Sequence, residues 1–148
     1  MELRNATAED LDHILALEEE TFPETAFSRA TFLYYLGSRS SRVRVLEHDD
    51  ILSGYVVYTL QNEPPVAYID SIAVQATYRG RGLGRAMMEH VRRAALEQGA
   101  ERVKLHVRAS NQAAQAFYRA LGFRRTGSVS SYYRDGENAL VMELDLAQ

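Results

Sequence analysis

The chain has no cysteine, which excludes a disulfide framework, a thiolate nucleophile and a cysteine-ligated zinc site. That absence fits a reducing compartment. Neither sign of charge dominates: 17 lysines and arginines stand against 20 aspartates and glutamates, a formal net charge of −3. The molecule therefore has no overall field to gather nucleic acid or anionic lipid, neither is an expected partner, and any anion site must be local. No run approaches the roughly 20 apolar residues that span a bilayer, and the opening Met1-Glu2-Leu3-Arg4 lacks the apolar core of a signal peptide, so a cytoplasmic protein is expected. His13, His48, His90 and His106 have no paired spacing, so no metal is expected. What remains is ordinary for a globular chain: 148 residues, 46% hydrophobic and 25% charged. A chain of that size buries about 70% of its unfolded surface without a staple. With no internal repeat or biased linker, a single domain over residues 1–148 is expected.

Thr7 followed by Asp10 reads as a capping box, after which Leu11, Ile14, Leu15 and Leu17 give helical spacing up to Phe22-Pro23. Ser28 caps a second helix to Gly37, with Phe32, Leu33 and Leu36 expected to face inward. The period then changes to two. Arg42–Leu46 and Ile51–Leu60 read as a hairpin about His48-Asp49-Asp50, and Gly54 interrupts the second strand. Val66–Val74 is a strand in which Asp70-Ser71 suggests a bulge. A helix with Leu83, Met87, Val91 and Ala94 inside ends at Gly99, and Arg102–Val107 alternates apolar Val103, Leu105 and Val107 with polar Lys104, His106 and Arg108. Ser110 or Asn111 caps a helix with Ala114, Phe117 and Leu121 inside. Two strands, near Ser128–Arg134 and Ala139–Leu146, follow around Asp135-Gly136. The sum is a mixed α/β sheet.

The most informative segment is Arg79-Gly80-Arg81-Gly82-Leu83-Gly84, between a strand and a helix, with Arg85 beyond it. Glycines at alternate positions clear side chains from the turn, so several N–H groups can approach a ligand. The following helix adds about half a positive charge at its N-terminus. A phosphate or pyrophosphate fits. The Gly-Lys-Ser/Thr ending of a Walker loop is missing, and the spacing is not the dinucleotide fingerprint. A tight turn that uses glycine for geometry alone is the competing reading.

In these residues the chain resembles the GNAT N-acetyltransferases. There an Arg/Gln-x-x-Gly-x-Gly/Ala turn grips the pyrophosphate of acetyl-CoA, and Arg79 to Gly84 matches it position for position. Ile72-Ala73-Val74 resembles the strand whose main chain pairs with the pantetheine arm. Val107-Arg108-Ala109-Ser110-Asn111 with Phe117-Tyr118-x-x-Leu121-Gly122-Phe123 resembles the second signature. Phe22-Pro23, Ser28-x-x-x-Phe32 and Tyr132-Tyr133 are similar to protein N-terminal acetyltransferases, including those of ribosomal-protein alanine. The resemblance covers about residues 1–146. It implies a mixed central sheet of about seven strands, with about four main helices packed on both faces. The implied cofactor-binding residues are Ile72, Ala73, Val74, Arg79, Gly80, Arg81, Gly82, Leu83, Gly84, Arg85, Asn111 and Tyr118, with acetyl-CoA as cosubstrate.

Acetyl transfer needs a neutral amine, a stabilised oxyanion and a thiolate able to leave. An α-amine, whose ordinary pKa is about 7.7–8.0 against about 10.4 for lysine, needs little help to lose its proton near neutral pH. His106 is the candidate base, with the charges of Lys104 and Arg108 on its face expected to keep it neutral. The resemblance implies a glutamate there in bacterial alanine acetyltransferases. In some eukaryotic N-terminal acetyltransferases it implies a histidine, with a tyrosine on the preceding strand that Tyr68 matches. A Tyr68–water–His106 relay stands beside the reading of His106 as an ordinary polar-face residue and Tyr68 as core. The resemblance gives Tyr118 the proton for the departing thiolate and Asn111 a bond to the CoA arm, although Asn111 also suits a helix cap. A bulge at Asp70-Ser71 would free an N–H near Ile72 for the thioester oxygen.

The resemblance implies an acceptor wall of Phe22, Phe27, Tyr34, Tyr132 and Tyr133, with ordinary packing of these aromatic rings as the competing reading. The expected reaction is direct attack by an amine, foremost a polypeptide N-terminus, in a ternary complex of a monomer or homodimer. A lysine side chain, a polyamine or a small amine are alternative acceptors. A non-catalytic acyl-CoA-binding module and a nucleotide-binding regulator are the readings from other classes.

Overall fold

Alternating period-two and near-period-four patterning becomes, in the computed structural model, seven strands and four α-helices among the described residues, 2–146. In chain order these are β1 (Glu2–Asn5), α1 (Leu11–Thr21), α2 (Arg29–Gly37), β2 (Ser41–His48), β3 (Ile51–Gln61) and β4 (Val66–Val74). There follow α3 (Leu83–Glu97), β5 (Arg102–Arg108), α4 (Gln112–Ala120), β6 (Arg124–Val129) and β7 (Ala139–Asp145). The strands bond in the order β1-β2-β3-β4-β5-β7-β6. The chain divides into two compact units, one comprising the residues up to Thr59 with Asp70–Val91, the other Leu60–Ile69 with the residues from Arg92 onward.

In the first unit, the Asp10 carboxylate accepts the Thr7 N–H at 2.8 Å, and the chain passes through a short 3-10 turn, Ala8–Asp10, into α1. Ser28 caps α2 by accepting the Thr31 N–H at 3.2 Å. The core joins Leu11, Ile14 and Leu17 of α1 and Phe32 of α2 to Val43, Val45, Tyr55, Val57 and Ala73 of the strands. Full burial of Phe32 is worth about 1.5–3 kcal/mol. The α2 face differs from expectation. Leu33 is exposed, and Tyr35 packs against the core beside Leu36, because the turn of the helix carries Phe32 and Tyr35 to one side. The β2–β3 hairpin closes through Asp49 and Asp50, both at positive φ (52° and 63°), which suits the twist of a two-residue connection. β1 has no counterpart in the sequence pattern; its four residues pair antiparallel with β2 from Glu2–Glu47 to Asn5–Arg44.

In the second unit, β5 buries Val103, Leu105 and Val107 and leaves Lys104, His106 and Arg108 half-buried on its other side, as its alternation requires. It pairs parallel with β4 at Val66–Arg102, Ala67–Val103 and Tyr68–Lys104, and antiparallel with β7 along its whole length. The last hairpin is corrected. β6 ends at Val129, so residues 130–138 form a loop in which Asp135-Gly136 is only one turn, with the Gly136 N–H on the Tyr133 carbonyl at 2.9 Å. Two helix faces are corrected as well. α3 buries Ala95 where Ala94 was expected, and α4 buries Gln115 and Tyr118 while Phe117 stays exposed. Gln115 is held inside because its Nε2 donates to the carbonyls of Arg108 and Ala109 at 3.1 and 3.0 Å.

Candidate active site

The glycine turn is built as an anion cradle needs. Gly80 and Gly82 sit at φ +80° and +81°, and a Cβ on either would meet nothing within 4 Å, so these glycines serve conformation and not packing. Leu83 is buried and anchors the start of α3; Gly84 lies in its first turn, where helical N–H groups lack intrahelical acceptors. Arg79, Arg81 and Arg85 are exposed around it. The Arg79 Nε donates to the Val74 carbonyl at 3.1 Å, tying the turn to the end of β4, and the Arg81 guanidinium lies 5.2 Å from the Tyr78 ring centre.

β4 carries an irregularity where the sequence suggests one. Thr59 donates to the Asp70 carboxylate at 2.6 Å, and Tyr35 of α2 also bonds it. The next residue, Ser71, donates to Glu18 of α1 at 2.7 Å. Adjacent strand residues normally point to opposite faces, yet Asp70 and Ser71 both turn toward the helices α1 and α2, which is the signature of a bulge. Burial raises the Asp70 carboxyl to about 6. Beyond the bulge, Ala73 is buried while Ile72 and Val74 are half-buried.

On β5 the imidazole of His106 lies flat on the ring of Tyr132, with centroids 4.5 Å apart and planes 3° from parallel. Its pKa is lowered, first by burial and then by the charge of Lys104. The expected contribution of Arg108 is corrected: that guanidinium is held by Asp135 and Glu137 and lies 4.3 Å from the centre of the Tyr133 ring. Tyr133 in turn stands edge-on to Tyr132 at 5.0 Å. Thus Arg108 fixes the 130–138 loop through Glu137, which also accepts the Ser110 N–H at 2.8 Å. Tyr68 pairs with Lys104 across β4 and β5, and the ammonium lies 5.8 Å from its ring centre. Tyr118 is buried, and burial together with neighbouring Tyr133 pushes its phenol up to about 12, so it stays protonated at neutral pH. Burial likewise takes Tyr133 up to about 12. Asn111 caps α4 by accepting the Ala114 N–H at 3.1 Å.

Of the expected wall, Phe22 and Phe27 are half-buried against the first unit's core, and the Phe27 ring lies 6.1 Å from Phe32 and 6.0 Å from Tyr35. Tyr34 is 69% exposed and touches the ring of Tyr35. Two hydrogen-bonded groups were not expected from the sequence: Glu18 with Tyr55 in the first unit, and the Arg108–Glu137 pair in the second. Glu18 carries a legible signal, since it follows Leu11 and Ile14 on the apolar stripe of α1. The Arg108–Glu137 pair spans 29 positions and carries none.

Comparison with known proteins bears on the family and the fold. Residues 8–123 match the model of the acetyltransferase (GNAT) family. The chain is 33% identical to the N-alpha-acetyltransferase daf-31 of Caenorhabditis elegans over 153 aligned positions, covering all of this chain and 84% of that protein. Among solved structures, the ribosomal-protein-S18-alanine N-acetyltransferase from Escherichia coli superposes with a TM-score of 0.83 at 27% identity, over 99% of this chain and 94% of that one. Naa20 of Chaetomium thermophilum, in complex with a bisubstrate analogue, gives a TM-score of 0.88 at 26% identity, over 99% and 87%. A family match over most of the chain, together with a relative one-third identical across all of it, shows that the chain belongs to the acetyltransferase (GNAT) family.

Proposed function

We propose that this protein transfers an acetyl group from acetyl-CoA to the α-amine of a polypeptide N-terminus, by direct attack in a ternary complex. The observation that carries the reading is the His106 imidazole, kept neutral by burial and Lys104 and held flat against Tyr132. A base of depressed pKa suits an amine whose own pKa is about 7.7–8.0 far better than a lysine side chain near 10.4. The names of the relatives, which act on protein N-termini, support the same acceptor.

Acetyl-CoA supplies the acyl group as a thioester. The glycine turn, with the exposed Arg79, Arg81 and Arg85, offers main-chain N–H groups and positive charge suited to its diphosphate. Ile72, just past the bulge, offers an N–H suited to the carbonyl oxygen. His106 takes the proton of the attacking amine, directly or through water held by Tyr68. The amine nitrogen bonds to the acyl carbon as the carbon–sulfur bond breaks, and Tyr118 provides the phenolic proton for the departing sulfur. A neutral His106 and a protonated Tyr118 are the states this order of events requires. The test is thiol release from acetyl-CoA with a panel of acceptors: free-N-terminus peptides, an N-blocked lysine peptide, spermidine and a small primary amine. Peptides with a free α-amine are expected to turn over at least about tenfold more efficiently than the rest. Equal or better turnover of the lysine peptide or spermidine would replace the acceptor, and tight CoA binding without thiol release from any amine would replace the activity.

A further inference from the structure

Glu18 sits in phase with Leu11 and Ile14 on the buried stripe of α1, where an apolar residue would pack, and is only 2% exposed. A carboxylate in such a place is tolerated only when its oxygens are fully satisfied. Among the described residues no cation pairs with it. Its partners are three neutral donors: the Tyr55 hydroxyl, the Ser71 hydroxyl at 2.7 Å and the main-chain N–H of Phe27 at 2.9 Å. They come from three separate segments. Tyr55 is on β3, Ser71 is the second residue of the β4 bulge, and Phe27 ends the connection between α1 and α2. The Tyr55 and Ser71 hydroxyls also lie 3.4 Å from one another, closing the cluster. Burial and the Glu18 charge hold the Tyr55 phenol far above its ordinary value, so it remains a donor at any working pH.

A leucine would fill this space with less desolvation, but it would join none of those segments. We propose that Glu18 is a positioning residue of the acetyl transfer. One carboxylate fixes the Phe27 end of the acceptor wall to the Ser71 bulge, and so sets the distance from the acceptor segment to the Ile72 N–H. One oxygen takes both hydroxyls and the other takes the main-chain N–H, which a carboxamide cannot do because its nitrogen accepts nothing. This deepens the reading above and rests on taking Phe22 and Phe27 as part of the wall that its acceptor lies against.

The experiment compares Glu18→Gln, Ser71→Ala and, as a control on the exposed side of the same helix, Glu20→Gln. Steady-state kinetics with peptide and acetyl-CoA varied separately are paired with amide hydrogen exchange on the free protein. Glu18→Gln is expected to raise KM for the acceptor by about tenfold while KM for acetyl-CoA changes by less than about twofold. Amide exchange at residues 22–27 and 70–72 should quicken by at least about tenfold, with α3 unmoved. Ser71→Ala, which removes one donor and leaves the carboxylate, should shift the same readings in the same direction by less, and Glu20→Gln should shift none. Unchanged exchange at both segments would overturn the proposal, as would equal losses toward acceptor and acetyl-CoA. If the wild-type protein acetylates another amine and no peptide, the proposed acceptor falls; the same KM split, read with that amine, still decides the role of Glu18. Should Glu18→Gln fail to fold, Ser71→Ala carries the test alone.

Discussion

The rings of His106 and Tyr132 are stacked 4.5 Å apart, so a residue of the 130–138 loop forms one wall of the imidazole on β5. That wall contributes to the burial that lowers the His106 pKa, with Lys104 acting in the same direction. A lowered histidine pKa means the ring is already neutral at pH values where an unperturbed one, at about 6.5, would still carry a proton.

The acid limb of kcat, read at saturating acceptor so that the free amine's own titration drops out, is therefore expected below pH 6.5, the ordinary histidine value. Tyr132→Ala opens the ring to water and Lys104→Gln removes a like charge, so each should move that limb upward. His106→Ala should lower kcat by about 10²–10⁴ and remove the limb altogether. A pH–rate profile recorded on all three variants checks this. An acid limb that stays in place when His106 is gone would assign the base elsewhere.

Tyr118 bears on the opposite proton. Its phenol, pushed up to about 12 by burial and by Tyr133, is a poor base and a ready donor. Tyr118→Phe keeps the ring contact with Phe123, whose centroid is 5.6 Å away, and removes only the hydroxyl. The variant should fold normally and bind CoA as the wild type does, yet lose about 10²-fold in kcat. Single-turnover thiol release separates the two quantities. Wild-type turnover would leave Tyr118 as a packing residue.

These two residues also show how far the sequence can be read. The alternation of Arg102–Val107 places His106 on the polar side of β5 without further information, because strand period alone fixes it. Tyr118 stands out by motif, but apolarity points its helix the wrong way: Phe117 is exposed, and Gln115 is inside because two carbonyls receive its amide. β1 is invisible in the sequence because four residues with two charges among them carry too little pattern; only pairing with β2 makes them a strand. Tyr132 and Tyr133 read as strand residues because tyrosine favours strands, whereas Arg108, Asp135 and Glu137 stabilise a loop there through contacts remote in sequence. The bulge at Asp70-Ser71 is legible as two polar residues in an apolar strand, but its cause, donors and acceptors on α1, α2 and β3, is not.

Asp70 yields a pH-dependent stability. Its carboxyl stands at about 6 in the folded protein against an ordinary 3.8, chiefly through burial, with the Thr59 and Tyr35 hydrogen bonds opposing. The native state then holds the proton more tightly than the unfolded chain does. The favourable contribution is complete below the unfolded value and is lost as pH rises through the folded one. Asp70→Asn, which can still accept from Thr59, should be about 2–3 kcal/mol more stable than wild type at pH 8, and indistinguishable from it at about pH 3, below the unfolded value. Urea denaturation at the two pH values measures the difference. A variant less stable at pH 8 would show that the ionised carboxylate is well satisfied where it stands.

A glycine packed inside β3 and a glycine of the cofactor turn should fail in different ways. A Cβ on Gly54 of β3 would stand 2.9 Å from the Ala73 carbonyl oxygen and 3.1 Å from the Met87 methyl, so Gly54→Ala must push apart β3, the end of β4 and α3. Overpacking of that kind costs about 1–3 kcal/mol, and a clear fall in Tm is expected. Gly82 has open space around it but a φ of +81°, so Gly82→Ala meets no neighbour and suffers only backbone strain. That strain, about 1–2 kcal/mol, falls on the turn, where it is relieved by flattening the N–H groups away from the ligand. Gly82→Ala should accordingly weaken CoA binding by about tenfold while moving Tm little; Gly54→Ala should do the reverse. Calorimetric titration with CoA beside a thermal melt of each variant gives both numbers. If Gly82→Ala lost stability and kept its affinity, the turn would be a structural device and not the place where the diphosphate is held.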